Sequence, residues 1–412
     1  MKRKAVITGL GIVSPIGVGV EEFWASARQG RSGISSPTLF DGSKLPRECQ
    51  MVGEVIDFDV KQWMPGAVGR MAGRFSQFAV AAAKMAREDA GLDGASIPPA
   101  RLLVSLGTSM SGLVEAQENF ARFLRGDVVP PWTVLEYPGH AAASHLAIDS
   151  HGQGQVAAFG TACVAGLDSI AWAAEKVQRG EATAVVAGAT ETPLAPSNLE
   201  AFRVLGALSR WQGPPSEASR PFEKLRSGLV LAEGAGIVIV EDEEHARARR
   251  ATIYARILAS ASVTESRHMR EVDPTGESVA RVLTTLMRRA DMCSKDIDYL
   301  CAHGNSLIDY DAAETAGIKR ALGRQASCIP VSSIKSMCGQ ALAASGAMQT
   351  VAACLAIRDH IVPPTINYHY PDPACDLDYV PNRSRVVRVQ TVMIHAQSIG
   401  GSHSAILLSS AN

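Results

Sequence analysis

Apolar residues along the chain gather into short, unbroken runs closed by small-residue turns. They are KAVITGLGIV (4–13), RLLVSLGTS (101–109), QVAAFG (155–160), ATAVVAGATE (182–191) and AGIVIVED (235–242). Runs this continuous predict β-strands covered on both faces, not the alternation of a half-exposed sheet. Helical patterns stand between them. In 164–179, Leu167, Ile170, Ala171, Ala174 and Val177 share one face, and Gly180 ends the pattern. A basic helical segment near 243–250 leads into a second series: DIDYLCAHG (296–304), CIPVSS (328–333), an alanine-rich helix over 340–358, and TVMIHAQSIGGSHSAILLSS (391–410). Strands alternating with helices predict an α/β protein of two related halves, 1–250 and 251–412. No linker of more than a few residues separates them, so they are expected to pack tightly. Segment 262–276, polar and containing Pro and Gly, predicts a surface loop.

Composition narrows the class. With 412 residues, 46% of them apolar and 20% charged, the chain can bury a large core. Lys and Arg number 40 against 41 Asp and Glu, a net charge of −1, so no overall field draws it to nucleic acid or a membrane. The start, MKRKAVITGLGIVSPIG, has a short apolar run broken by glycines and no small-residue cleavage pattern; it reads as a strand and turn rather than a signal peptide. No apolar stretch approaches a membrane span. The eight cysteines show neither CxxC pairs nor zinc spacing, which predicts reduced thiols in a cytoplasm and no metal site.

Candidate chemistry sits where strands meet helices. In FGTACVAGLDSI (159–170), Cys163 follows a strand and turn and opens a helix, where free N–H groups and the helix dipole would lower a thiol pKa. Gly160, Ala162, Ala165 and Gly166 would let a substrate carbonyl approach, and the Cys163 N–H could help form an oxyanion hole. The alternative is a small buried core cysteine. His303, just after an apolar strand, suits a general acid/base or an oxyanion donor, or a histidine hydrogen-bonded for structure. Asp311 and Glu314 lie at the start of the next helix and could simply cap and charge it. Lys335, ahead of Gly339 and a run of small residues, is either a solvated side chain or a buried cation that organises its surroundings. Glycines in SIGGSHSAILL (398–408) precede a final strand, a place where backbone often lies near a ligand.

Taken in order, GTACVAGLDSI, PFEKLRSGLVLAEGAG (221–236), AHGNSLIDYDAAE and SSIKSMCGQALAASGA resemble the β-ketoacyl-acyl-carrier-protein synthases, the elongating ketosynthases of fatty acid and type II polyketide assembly. The resemblance spans nearly the whole chain. It implies a thiolase-like fold, two similar halves stacked as an αβαβα sandwich, commonly a homodimer or a heterodimer with a paralogue. It implies Cys163 as the acyl-accepting nucleophile, with His303, Lys335, Asp311 and Glu314 at matching positions. It also shows departures. Gln340 stands where the family has a second histidine, and Gln349 where a glutamate is usual. Asn305 and Leu307 replace two pocket threonines, and with Met110 they are the expected acyl-pocket residues. The phenylalanine-bearing gate reads QSIGGSH, giving Ser398, Ile399 and His403, with Ile399, Gly400 and Gly401 as the expected oxyanion and substrate loop. Gly206 takes the place of an arginine that helps dock the carrier protein.

These changes fall in the decarboxylation half of the site and spare the nucleophile. A glutamine can donate one hydrogen bond but cannot become cationic, and a charge-assisted bond is roughly twice as strong as a neutral one. Three readings follow. In the first, the chain is a specialised ketosynthase that loads an acyl group from a carrier protein onto Cys163 and condenses it with a malonyl-type extender. In the second, it no longer elongates and performs acyl transfer or an intramolecular aldol or lactone closure. The third, a non-catalytic chain-length-factor-like partner subunit, sits poorly with the retained Cys163 and His303. The resemblance implies an acidic acyl-carrier protein as partner, with Arg70, Arg74, Arg122 and Arg125 as candidate docking residues, and no cofactor, nucleic acid or membrane.

Overall fold

The computed structural model describes residues 3–92 and 97–411. The apolar runs become one 11-stranded mixed sheet. The first half supplies β1 (Ala5–Ser14), β2 (Leu102–Gly107), β3 (Val156–Phe159), β4 (Ala184–Glu191) and β5 (Gly234–Asp242). The second supplies β6 (Ala255–Thr264), β7 (Tyr299–Cys301), β8 (Val331–Ser332), β9 (Thr391–Gln397) and β10 (Ser402–Ser409). A short strand at Gly17–Val18 pairs with β1. Across the sheet the order is β8-β7-β9-β10-β6-β1-β5-β4-β2-β3. Each half therefore repeats one arrangement: its second strand runs parallel to its third and fourth, and the remaining pairs are antiparallel. The halves join where Ala5–Ile7 of β1 pairs antiparallel with Ala255–Ile257 of β6.

The main helices are α1 (Arg74–Asp89), α2 (Leu113–Leu124), α3 (His140–Ser150), α4 (Ala165–Gln178), α5 (Glu277–Ala290), α6 (Ile308–Leu322) and α7 (Ala344–Asp359). Helices α1 and α3 cover the outer face of the first half, and α5 with α6 the outer face of the second. Between the halves lie α4 and α7, each touching strands of both, which gives five layers, αβαβα. Helix α7 is buried from Ala344 to Ile357 and rich in alanine, as a helix enclosed on all sides must be. The two central helices meet backbone to backbone: a Cβ on Gly166 would lie 2.7 Å from the Ala343 carbonyl oxygen and 2.9 Å from the Ala347 nitrogen.

Three expectations change. Strand β3 is not covered on both faces, because it is the outer edge of the sheet and its residues alternate between exposed and half-buried. Residues 262–264 are not loop; they are the end of β6, paired with the start of β10. The alanine-rich helix begins at Ala344, and the preceding segment forms a separate turn, Lys335–Cys338, closed by Gly339 in the left-handed region at φ 73°.

Candidate active site

A 3₁₀ turn, Ala162–Val164, carries β3 into α4, and Ala162 adopts a left-handed φ of 54°. Such a conformation persists where surrounding contacts over-determine it. Here Thr161 Oγ1 donates to Asp168 (2.5 Å), and the Ser404 hydroxyl donates to the other oxygen of the same carboxylate, tying the turn to α4 and β10. Cys163 sits on this turn, 7% exposed. Beside it is a cavity of about 220 Å³ whose wall includes Met110, Phe202, Leu342, Asn305, Gln340 and Gln397.

The helix start was expected to depress the Cys163 thiol. Instead burial pushes it up to about 11, against the pull of the Lys335 charge and a hydrogen bond from the Gln340 side chain. Burial favours the neutral thiol over the thiolate. Nor do all the small neighbours clear space for a thioester. Gly166 is consumed by helix packing, whereas a Cβ on Gly160 would meet nothing within 4 Å. The amide of Gln340 is oriented by Ser345, whose hydroxyl donates to Oε1 (3.1 Å) and leaves Nε2 for the thiol.

His303 follows β7 and is buried. Its backbone N–H and that of Gly304 donate to Glu314 (2.7 and 2.8 Å), while Asn305 and Phe222 donate to Asp311 (3.0 and 2.7 Å). Asp311 and Glu314 are therefore buried braces behind the strand-to-helix loop, not surface caps. Burial raises Asp311 to about 6 despite Arg226. Glu314 stays below its ordinary range although burial opposes this, because His395 (2.5 Å) and the two N–H groups stabilise its charge. Lys335 is the buried cation of the two readings: Nζ donates to the His303 carbonyl (2.7 Å) and to Gln349 Oε1 (3.1 Å), and burial lowers it to about 8. Gln349 in turn donates to the carbonyls of Ala302 (2.9 Å) and His395 (3.1 Å).

Donors face both nitrogens of the His303 ring: the Gln397 N–H lies 3.3 Å from Nδ1, and the Asn305 amide nitrogen, whose oxygen partner accepts from the Leu307 N–H, lies 3.1 Å from Nε2. Burial, then Lys335, His395 and His403, push this imidazole well below its usual pKa, so the ring is neutral. His303 does not itself line the Cys163 cavity. Asn305 does, and its carboxamide stands 3.1 Å from His303 Nε2. Leu307 lines a different space, an outer cavity of about 710 Å³ that shares Leu205 and Ile399 with the inner one. Ile399 thus borders both. Gly400 and Gly401 follow it with φ of 103° and 80°, backbone open to glycine and strained for other residues.

Of the arginines proposed to dock a partner, Arg74 is committed to a bidentate pair with buried Glu233 (2.7 and 2.9 Å), and Arg125 pairs with Asp127 (3.0 Å). The outer cavity is lined by three arginines, Arg210, Arg267 and Arg270, alongside Glu271 and Asp309. A Cβ on Gly206 would lie 3.1 Å from Arg270 Nη2, so charge from elsewhere in the chain reaches over the position where an arginine is missing.

Apart from His403, which the QSIGGSH gate already named, some residues of the site carried no motif. Glu191, the last residue of β4, is fully buried and accepts from the backbone of Ser109 (2.7 Å) and Met110 (3.0 Å), fixing the turn that brings Met110 to the cavity. His395 and His403 lie diagonally across β9 and β10 and continue a chain from Glu314 to Glu265: 2.5 Å, then 3.4 Å, then 2.9 Å. The available signal was a carboxylate or histidine inside an otherwise apolar strand.

Comparison with known proteins shows the family and the fold. Residues 2–246 match the family model "Beta-ketoacyl synthase, N-terminal domain", and 254–369 match "Beta-ketoacyl synthase, C-terminal domain". A 3-oxoacyl-[acyl-carrier-protein] synthase 2 from Coxiella burnetii is 37% identical over 99% of both chains. The tetracenomycin polyketide synthase ketoacyl synthase alpha subunit of Streptomyces glaucescens is 36% identical over 99% of this chain and 97% of its own. A solved type II polyketide ketosynthase, in complex with its acyl-carrier protein and bound to a hexaketide, superimposes over 100% of both chains with a TM-score of 0.93 at 35% identity.

Proposed function

Because the chain belongs to the β-ketoacyl synthase family and has its thiolase-like fold, we propose that it takes an acyl group from an acyl-carrier protein onto Cys163 and condenses it with a malonyl-type extender in polyketide or specialised fatty-acyl synthesis. The observation that carries this reading is the shared cavity of Cys163 and Gln340, with Lys335 close enough to act on the thiol.

In the loading step, sulfur of Cys163 attacks the thioester carbonyl. The oxyanion is held by the N–H groups of Cys163 and Ile399, and the carrier's thiol leaves with the proton. In the second step the malonyl carboxylate departs as carbon dioxide. The enolate oxygen is held by Gln340 Nε2–H and by His303 Nε2–H once the Asn305 carboxamide turns away. Carbon then attacks the acyl-Cys163 carbonyl, and the released thiolate takes up one proton. Both donors are neutral, and Lys335, charged below about pH 8, supplies the positive field behind them. Ile399 and its two glycines serve as the movable wall between the inner and outer cavities. The rim of Arg210, Arg267 and Arg270 is the docking surface for an acidic carrier.

A dimer completes the reading. Helix α2 and the segment after it expose Phe120, Phe123, Leu124, Val134 and Leu135, each more than 60% accessible. The free edge of β3 lies on the same half. Exposed apolar groups of this number mark an association surface. The proposal holds for a homodimer or for a dimer with a paralogue.

The test is intact-protein mass spectrometry with acyl-carrier-protein donors. The wild type should gain one acyl mass mapped to Cys163, and Cys163→Ala should gain none. Loading that persists in Cys163→Ala would overturn the mechanism.

A further inference from the structure

The neutral His303 ring carries one N–H and one lone pair. Two donors nevertheless face it, the Gln397 N–H at Nδ1 (3.3 Å) and the Asn305 amide nitrogen at Nε2 (3.1 Å). One lone pair cannot serve both, and the donor that loses meets an N–H instead. Exchanging O and N in the Asn305 amide gives no relief, because Oδ1 already accepts from the Leu307 N–H (3.1 Å).

The two donors differ in freedom. The Gln397 N–H belongs to the last residue of β9, whose backbone is held in register with β10. Asn305 donates from a side chain that can turn, and it lines the Cys163 cavity where His303 does not. Lys335 and Glu314 hold the His303 backbone, through its carbonyl (2.7 Å) and its N–H (2.7 Å), and leave the ring proton to these two donors. The Asn305 contact is the shorter of the pair. It makes Nε2 an acceptor, and an acceptor cannot hold an enolate oxygen.

We propose that Asn305 is a positioning residue that brakes decarboxylation: its amide on Nε2 keeps the His303 proton on Nδ1, and Nε2 becomes a donor only when the carboxamide turns aside. The inference rests on the condensation reading above and adds a residue that sets its rate. In the switch the Nδ1–H bond breaks and an Nε2–H bond forms, the proton exchanging through water with no change in charge. The Nδ1 lone pair then accepts from the Gln397 N–H. Each state satisfies one donor, so the two lie close in free energy and both are populated.

The experiment gives the acylated full chain saturating malonyl-carrier protein and follows carbon dioxide release. Asn305→Ala, and independently Asn305→Val, should raise kcat for release by about three- to tenfold, the worth of one neutral hydrogen bond. In a His303→Ala background neither substitution should raise it, because both act through the ring. No rise in either variant while the acyl mass still loads on Cys163 overturns the proposal, as does a rise that persists without His303. The wild type decides the matter even if a variant folds poorly. In ¹⁵N-histidine NMR spectra of the free enzyme, the ring assigned by its loss in His303→Ala should carry its proton on Nδ1; a proton on Nε2 overturns the proposal. Absence of carbon dioxide from wild type and variants alike would overturn the condensation reading itself and this proposal with it.

Discussion

Cys163, the proposed nucleophile, holds its resting proton tightly. Its thiol rises to about 11, while Lys335, the cation that opposes this, falls to about 8. The sign is the same for both: burial favours the neutral form of each group. Alkylation of the Cys163 peptide by iodoacetamide, followed by mass spectrometry, should therefore accelerate from pH 7 to pH 10 without a plateau, since the thiolate fraction keeps growing up to about 11. A plateau beginning near pH 7 would contradict this and restore the depressed thiol that a helix start alone suggests. The same residue-scale logic separates what could be read from the chain from what could not. Cys163, His303 and Lys335 announced themselves through motif and position. The bracing role of Glu191 and the Glu314–His395–His403–Glu265 chain depend on partners distant in sequence, and no local pattern encodes them.

Among the elements, the strands and the helix behind Cys163 were legible because continuous apolar runs and a 3.6-residue stripe each have one cheap solution. Strand β3 was misjudged for a physical reason: its alanines satisfy an edge as well as an interior, and only sheet order tells the two apart. The glycines next to Cys163 were likewise ambiguous. Gly160 and Gly166 look equivalent in sequence, yet only Gly166 lies against the backbone of α7. Gly166→Ala should destabilise the protein by about 1–3 kcal/mol through overpacking, whereas Gly160→Ala should be near neutral, both measured by urea unfolding. Alanine normally stabilises an ordinary helix position by up to about 1 kcal/mol relative to glycine. A Gly166→Ala variant as stable as the wild type would show that α4 and α7 are not in backbone contact.

At the scale of the molecule, two five-strand sets of identical order enclose a pair of helices, and the site forms where loops of both sets meet. Cys163 comes from the first set, and His303, Gln340 and Gln397 from the second. One face of the first set stays apolar and accessible around Phe120 and Phe123. Size-exclusion chromatography with light scattering should give twice the chain mass for the wild type, or for its complex with a paralogue, and the single-chain mass for Phe120→Glu/Phe123→Glu. A monomeric wild type that loads Cys163 at full rate would remove the dimer from the account.

The central claim is that neutral donors suffice for condensation: Gln340 in place of a second histidine, with His303 behind Asn305. The most direct measurement adds malonyl-carrier protein to the acylated enzyme and counts carbon dioxide released against β-ketoacyl product. The account predicts one carbon dioxide for each product two carbons longer, with the acyl mass leaving Cys163 in step. An acyl-Cys163 that persists, with no carbon dioxide released, would contradict it and place the chain among enzymes that pass the acyl group to another acceptor or close it on itself.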